Sequence, residues 1–155
     1  GNFVITGMVG KVMEESTNVA LSYIKSQKNS FPLNEFYFNI RDIHIHFLEG
    51  ALKKDGPSAG AAITTSILSL ILNKQVENDI AFTGEISLNG DILKVGGIKE
   101  KIIGAFNHQI KEVFIPDANA LDLEEIPADI KNKMTIHLVK NYQEIYELLF
   151  NESKK

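Results

Sequence analysis

The sequence predicts a single α/β domain in which mixed parallel and antiparallel sheets pack against helices, in one or two layers. Three observations carry the prediction. Ile80-Ala81-Phe82-Thr83 and Glu112-Val113-Phe114-Ile115-Pro116 read as short strands with a helical pattern from Gly97 to about Asn107 between them, and a helix joining two strands is the crossover of a parallel pair. Between Glu85 and Val95 two β-rich arms flank Asn89-Gly90, the preferred pair for a type I′ hairpin, which is antiparallel. Ala59 to Leu72 is a low-charge stretch broken by Thr64, Thr65, Ser66 and Ser69; it is shorter than the ~20 residues a membrane span requires and reads as a core helix.

Bulk composition narrows the function classes. A chain of 155 residues buries about two thirds of its unfolded surface. With 44% hydrophobic and 23% charged residues it is an ordinary globular sequence rather than a disordered or fibrous one. The net charge of −4 and the scatter of the lysines argue against nucleic-acid binding. Without cysteine there is no disulfide framework, thiolate nucleophile or Cys-based metal site. No cationic start followed by an apolar run opens the chain, and Gly1 is not an initiator methionine, so a processed piece or fragment is expected. Residues 1–150 are read as the domain and 151–155 as a fraying tail.

Taken in order, Val9 to about Lys28 is helical, with Val9, Val12, Met13, Val19, Ala20, Tyr23 and Ile24 recurring on one face. Gln27 to Pro32 ends it. An aromatic segment, Phe36-Tyr37-Phe38, precedes Arg41 to Phe47, whose alternation predicts a strand with Ile43, Ile45 and Phe47 on one face and His44 and His46 on the other. Two histidines at i and i+2 suggest a metal, but His108 and His137 show no ligand spacing, so partly exposed strand histidines are the plainer reading, with His46 a candidate neighbour of the site described next. After the hairpin and the helix from Gly97, Glu112 to Pro116 is a strand closed by its proline. A loop or short helix carrying Asp122, Glu124 and Glu125 follows, then a strand from Thr135 to Val139 and a helix from about Tyr142 to Phe150. There is no internal repeat.

The stretch with chemical promise is Lys54-Asp55-Gly56-Pro57-Ser58-Ala59-Gly60. Gly56 permits backbone angles closed to other residues, and Pro57 has a φ suited to a first helical position, so Ser58 is expected at the mouth of the core helix. Backbone N–H groups around Gly56 and Ala59 and in the first turn would favour a negative charge there, as an oxyanion needs. Three readings compete. Ser58 is a capping hydroxyl; or it is the nucleophile elbow of an α/β-hydrolase, served by His137 and a late acid; or it is a nucleophile activated by a lysine. A non-catalytic anion-binding or assembly module is the alternative from another class.

Three further motifs bear on that choice. The Lys54-to-Gly60 stretch, then Thr83-Gly84-Glu85, then Gly96-Gly97-Ile98-Lys99-Glu100-Lys101, flanked by Arg41 to His46, Ile115-Pro116, Leu123 to Pro127 and Ile136-His137, resemble the proteolytic domain of the ATP-dependent Lon proteases, in the Gly-Pro-Ser-Ala-Gly branch. The resemblance covers nearly the whole chain, with the motifs in the family's order and spacing. It implies the Lon protease-domain fold, Ser58 as nucleophile and Lys101 as its partner. It also implies that Thr83 helps hold the lysine and that Asp55 engages the site in an inactive state. Further implications are endopeptidase action on unfolded or damaged polypeptides, a ring of six subunits, no cofactor in this chain, and ATP and Mg²⁺ used by an ATPase module that the sequence lacks. The expected compartment is a bacterial cytoplasm, or a mitochondrial matrix as the alternative, with no membrane. Two departures stand out: Lys53 replaces a common proline, and Asn107-His108-Gln109 replaces a usual Arg-Gly-Gly. Relative to the family, further strands before Gly1 are missing.

Helical periodicity and resemblance disagree over the lysine. On a helix from Gly97, Ile98, Ile102, Ile103, Phe106 and Ile110 span one broad face with Lys99 inside it and Lys101 on its edge beside Ala105. Periodicity favours Lys99 and the family spacing selects Lys101. We take Lys101 as the expected base, because a first helical turn is where periodicity is least informative.

Overall fold

The computed structural model describes residues 1–34, 36–48 and 56–151. Its elements run β1 (Phe3–Thr6), α1 (Lys11–Ser26), α2 (Tyr37–Ile40), β2 (Ile43–His46), α3 (Gly60–Leu72), β3 (Ile80–Phe82), β4 (Glu85–Ile86), β5 (Ile92–Leu93), α4 (Ile98–Asn107) and β6 (Glu112–Pro116), then a 3₁₀ helix (Asp117–Glu125), α5 (Ala128–Lys133), β7 (Thr135–Val139) and α6 (Tyr142–Leu149). Among the described residues β1 pairs with β2 in parallel, β3, β6 and β7 form a parallel sheet in that order with β6 central, and β4 pairs with β5 antiparallel. The chain is an α/β domain with both kinds of pairing, as predicted.

Strand β6 explains the layering. Its Val113-Phe114-Ile115 run is buried throughout, the pattern of a parallel strand covered on both faces. Phe114 joins a core with Ala20, Tyr23 and Ile24 of α1, Ile63, Ile67 and Leu68 of α3, and Tyr142 and Ile145 of α6. Val113 and Ile115 join a second core with Ile98 and Ile102 of α4 and Ile130 of α5. Helices therefore cover both faces of this sheet, which corrects the expectation of one or two layers.

Several local expectations also change. Helix α1 starts at Lys11 after Gly10; Val9 lies outside it, and Val12 is exposed, while Ser16 and Thr17 are buried. The buried hydroxyl of Thr17 is satisfied by the Met13 carbonyl at 2.8 Å, so polar residues share the apolar face at no unpaired cost. The strand β1 and helix α5 were not anticipated. Phe36 to Phe38 contributes to one helical turn, α2. In the hairpin, Gly90 N–H donates to the Ser87 carbonyl at 3.0 Å, so Leu88 and Asn89 are the central residues. Gly90 has φ +86° and Asn89 has no positive φ, which excludes type I′. The reason is tertiary: the Tyr23 ring occupies the space where a Gly90 side chain would stand, and Gly90 accepts the Tyr142 N–H at 2.8 Å.

Candidate active site

Ser58 lies in the turn just before α3, whose N-cap is Ala59 without a side-chain cap bond. The expectation that Pro57 opens the helix and the capping reading of Ser58 are thereby corrected. Gly56 does adopt a positive φ, +142°. Two backbone bonds fix the turn against the segment after β3: Gly84 N–H donates to the Ser58 carbonyl and Ala61 N–H donates to the Gly84 carbonyl, both at 3.0 Å. Gly60 N–H leans on the Pro57 carbonyl at 3.4 Å. Part of the first turn's donor set is thus occupied, but among the described residues the N–H groups of Ser58 and Ala59 and the Ser58 hydroxyl have no hydrogen-bond partner.

Both glycines of this clamp are needed for close approach. A Cβ on Gly60 would stand 2.8 Å from the Ile86 backbone nitrogen, and one on Gly84 would stand 2.7 Å from Ile92 Cγ2 at a φ of +149°. Gly84 is the residue that sequence reasoning left without a role. Its signal was present: a glycine immediately after a strand, inside a motif already noted.

The neighbouring residue holds the lysine. Lys101, on the first turn of α4, donates from Nζ to Thr83 Oγ1 at 3.3 Å, so Thr83 and Gly84 tie the lysine and the serine turn to one point of the chain. Lys101 is exposed as a residue, yet partial loss of solvation at its amine lowers its pKa below the ordinary lysine value. Ser58, Thr83 and Lys101 line a single cavity of about 300 Å³, walled by Ala59, Ala62, Phe82, Ile102, Ala105 and neighbouring sheet residues. Among the described residues that line it, Lys101 is the sole titratable side chain.

Lys99 is exposed and does not line the cavity. Ile98 and Ile102 of α4 are fully buried and Ile103, Phe106 and Ile110 partly so; Lys99, although its helical position falls among them, is exposed. His46 is an exposed residue of β2 whose Nδ1 bonds Thr6 Oγ1 at 2.8 Å, while His44 Nε2 meets the same hydroxyl at 2.7 Å; His46 is not among the cavity residues. His137 pairs with Glu112 at 2.6 Å and stacks on Phe114; it lines a different cavity, with Glu144 and Glu147. Asp55 lies outside the described residues. Among the described residues no three His, Cys, Asp or Glu side chains gather to hold a metal ion. None of their helices is long and apolar enough to cross a membrane.

The family model described as the Lon protease (S16) C-terminal proteolytic domain matches residues 1–152. The Lon protease of Fusobacterium nucleatum is 48% identical over 151 residues, covering 97% of this chain and 20% of that protein. Lon protease 1 of Borreliella burgdorferi is 45% identical over 150 residues, 97% of this chain and 19% of that protein. The mitochondrial Lon protease homolog of Phaeodactylum tricornutum is 44% identical over 151 residues, 97% of this chain and 17% of that protein. The chain spans about a fifth of the length of the curated relatives it matches. On a family match along nearly its whole length, the chain belongs to the proteolytic domain family of the Lon (S16) proteases.

Proposed function

We propose that the chain is a serine endopeptidase working through a Ser58–Lys101 dyad, the proteolytic part of an ATP-dependent protease that degrades unfolded or damaged polypeptides. One observation carries this reading: among the described residues, the cavity that holds Ser58 is lined by one titratable side chain, the Lys101 amine, bonded to Thr83. A neutral amine has two N–H donors and one lone pair. With one N–H donated to Thr83, the lone pair is left for the serine proton.

In the reaction, Lys101 takes the proton from Ser58 Oγ as that oxygen bonds the peptide carbonyl carbon. The Ser58 and Ala59 N–H groups stabilise the oxyanion. Collapse of the tetrahedral intermediate breaks the C–N bond, and the Lys101 ammonium returns the proton to the leaving amine. Water, deprotonated by Lys101, then attacks the acyl ester and frees Ser58. The family's hexameric ring, and the use of ATP and Mg²⁺ by a module outside this chain, belong to the same proposal. So does the compartment: the cytoplasm of a bacterium, or the mitochondrial matrix, as the mitochondrial homolog of Phaeodactylum tricornutum suggests.

Two expectations follow from the amine. Because only the neutral lysine accepts a proton, kcat/KM should rise with pH through one ionisation below the ordinary lysine value, matching the direction of the Lys101 shift. A profile flat from acidic to strongly alkaline pH would contradict it. Thr83→Val removes the acceptor that orients the amine and should lower kcat/KM about tenfold, a hydrogen bond's worth, while Thr83→Ser retains most activity. Equal activity in both variants would remove Thr83 from the site.

The function itself is tested by hydrolysis of short unstructured peptides by this chain, with Ser58→Ala as control. Turnover lost in Ser58→Ala and insensitive to added nucleotide is expected. No turnover by the unmodified chain, together with tight binding of an acidic ligand, would favour the anion-binding alternative.

A further inference from the structure

Asn119, on the 3₁₀ helix, is 1% exposed, and the reaction above makes no use of it. Its amide makes three hydrogen bonds. Oδ1 accepts the Val95 N–H at 3.0 Å, and Nδ2 donates to the Val95 carbonyl at 2.8 Å and to Asp122 Oδ2 at 2.7 Å. The first two are the pair of bonds a neighbouring strand would exchange with Val95. The third fixes the amide's orientation, since a flipped amide would set its oxygen against two other oxygens. Aspartate lacks the donors, and alanine or leucine lacks both donor and acceptor.

Val95 matters for what it leads into. Gly96-Gly97 follows, with open space around Gly96 and a φ of +72° at Gly97, so neither residue has a side chain to anchor the approach to α4. Among the described residues, the side-chain hydrogen bonds to residues 94–97 all come from Asn119. Directly beyond them, Lys101 N–H donates to the Gly97 carbonyl at 3.0 Å. Lys101 Cε lies 3.9 Å from where a Gly97 Cβ would stand. Hydrogen bonds and the short covalent path from Val95 to Gly97 therefore connect the Asn119 amide to Lys101 and Thr83.

We infer that Asn119 is a positioning residue for Lys101: by tying Val95 to the 3₁₀ helix, it sets where α4 begins and so where the amine stands relative to Thr83 and Ser58. This rests on the Ser58–Lys101 reading. Buried as it is, Asn119 touches no substrate and acts through the lysine alone.

The test compares Asn119→Asp and Asn119→Ala with the unmodified chain, at temperatures where circular dichroism shows each folded. Misplacing a reacting group by about 1 Å costs on the order of 10²-fold. The variants should therefore lose about that factor in kcat with KM little changed. The ascending limb of kcat/KM should move to higher pH, as the displaced amine regains solvent. A purely structural residue would lower the melting temperature and leave both readouts of the folded enzyme in place, and that result overturns the inference. Asp122→Ala, at a partly exposed residue, removes one of the three bonds and guards against Asn119 variants that do not fold. It should shift both readouts in the same direction by several-fold, and no shift is equally fatal. Lys101→Ala is run alongside. If it keeps full activity, the dyad reading fails; if it is inactive while the Asn119 and Asp122 variants match the unmodified chain, only the positioning role fails.

Discussion

Lys101→Ala is expected to lower kcat/KM by about 10³-fold or more, the scale on which removal of an essential proton acceptor acts, while Lys99→Ala keeps most of the activity. Both residues lie on α4 two positions apart, so the pair separates chemistry from any general effect on the helix. Lys101 shares its cavity with Ser58 and is bonded to Thr83; Lys99 is exposed outside it. Neither side chain is part of the buried core, so both variants should unfold near the parent temperature. An inactive Lys99→Ala beside an active Lys101→Ala would reverse the assignment.

Gly84→Ala should be a strongly damaging single methyl addition near the site. Its φ of +149° is a conformation L residues rarely adopt, with a strain of about 1–3 kcal/mol. The new Cβ would stand 2.7 Å from Ile92 Cγ2, an overpacking of about 1–3 kcal/mol. A loss near 3 kcal/mol lowers the melting temperature of a domain this size by roughly 10 °C. Activity of the remaining folded enzyme should fall too, because the clash lies in the clamp between Gly84 and the Ser58 turn. Gly104→Ala is the control: its Cβ meets nothing within 4 Å on α4, and alanine in a helix gains up to about 1 kcal/mol over glycine. Equal melting points for the two variants would mean that Ile92 yields without cost.

Local pattern carried the sequence reading where local forces decide the structure. The alternation of Ile43, His44, Ile45 and His46 appears as a strand with Ile43 buried and both histidines exposed. The apolar stretch before Leu72 appears as α3. Where long-range contacts decide, pattern was insufficient. Asn89-Gly90 alone favours a type I′ turn, but the Tyr23 ring and the Tyr142 N–H select another. Periodicity put Lys99 among the apolar positions of α4, which do pack on the core, but Lys99 itself is exposed, and of α4 only Ile102 and Ala105 line the cavity with Lys101. The Thr83-Gly84 bracket was legible as a motif and not as a clamp, because its two halves meet partners from distant parts of the chain. Asn119 carries no mark in the sequence, since only its tertiary partners distinguish it.

The central claim is that a neutral Lys101 activates Ser58. It is tested most directly by the rate at which a serine-reactive phosphonate modifies the protein as a function of pH, with the adduct mapped by mass spectrometry. The account predicts a single adduct on Ser58, formed at a rate that rises through an ionisation below the ordinary lysine value, and no measurable adduct in Lys101→Ala. An adduct on another residue, or modification of Ser58 in Lys101→Ala at the parent rate, would contradict it.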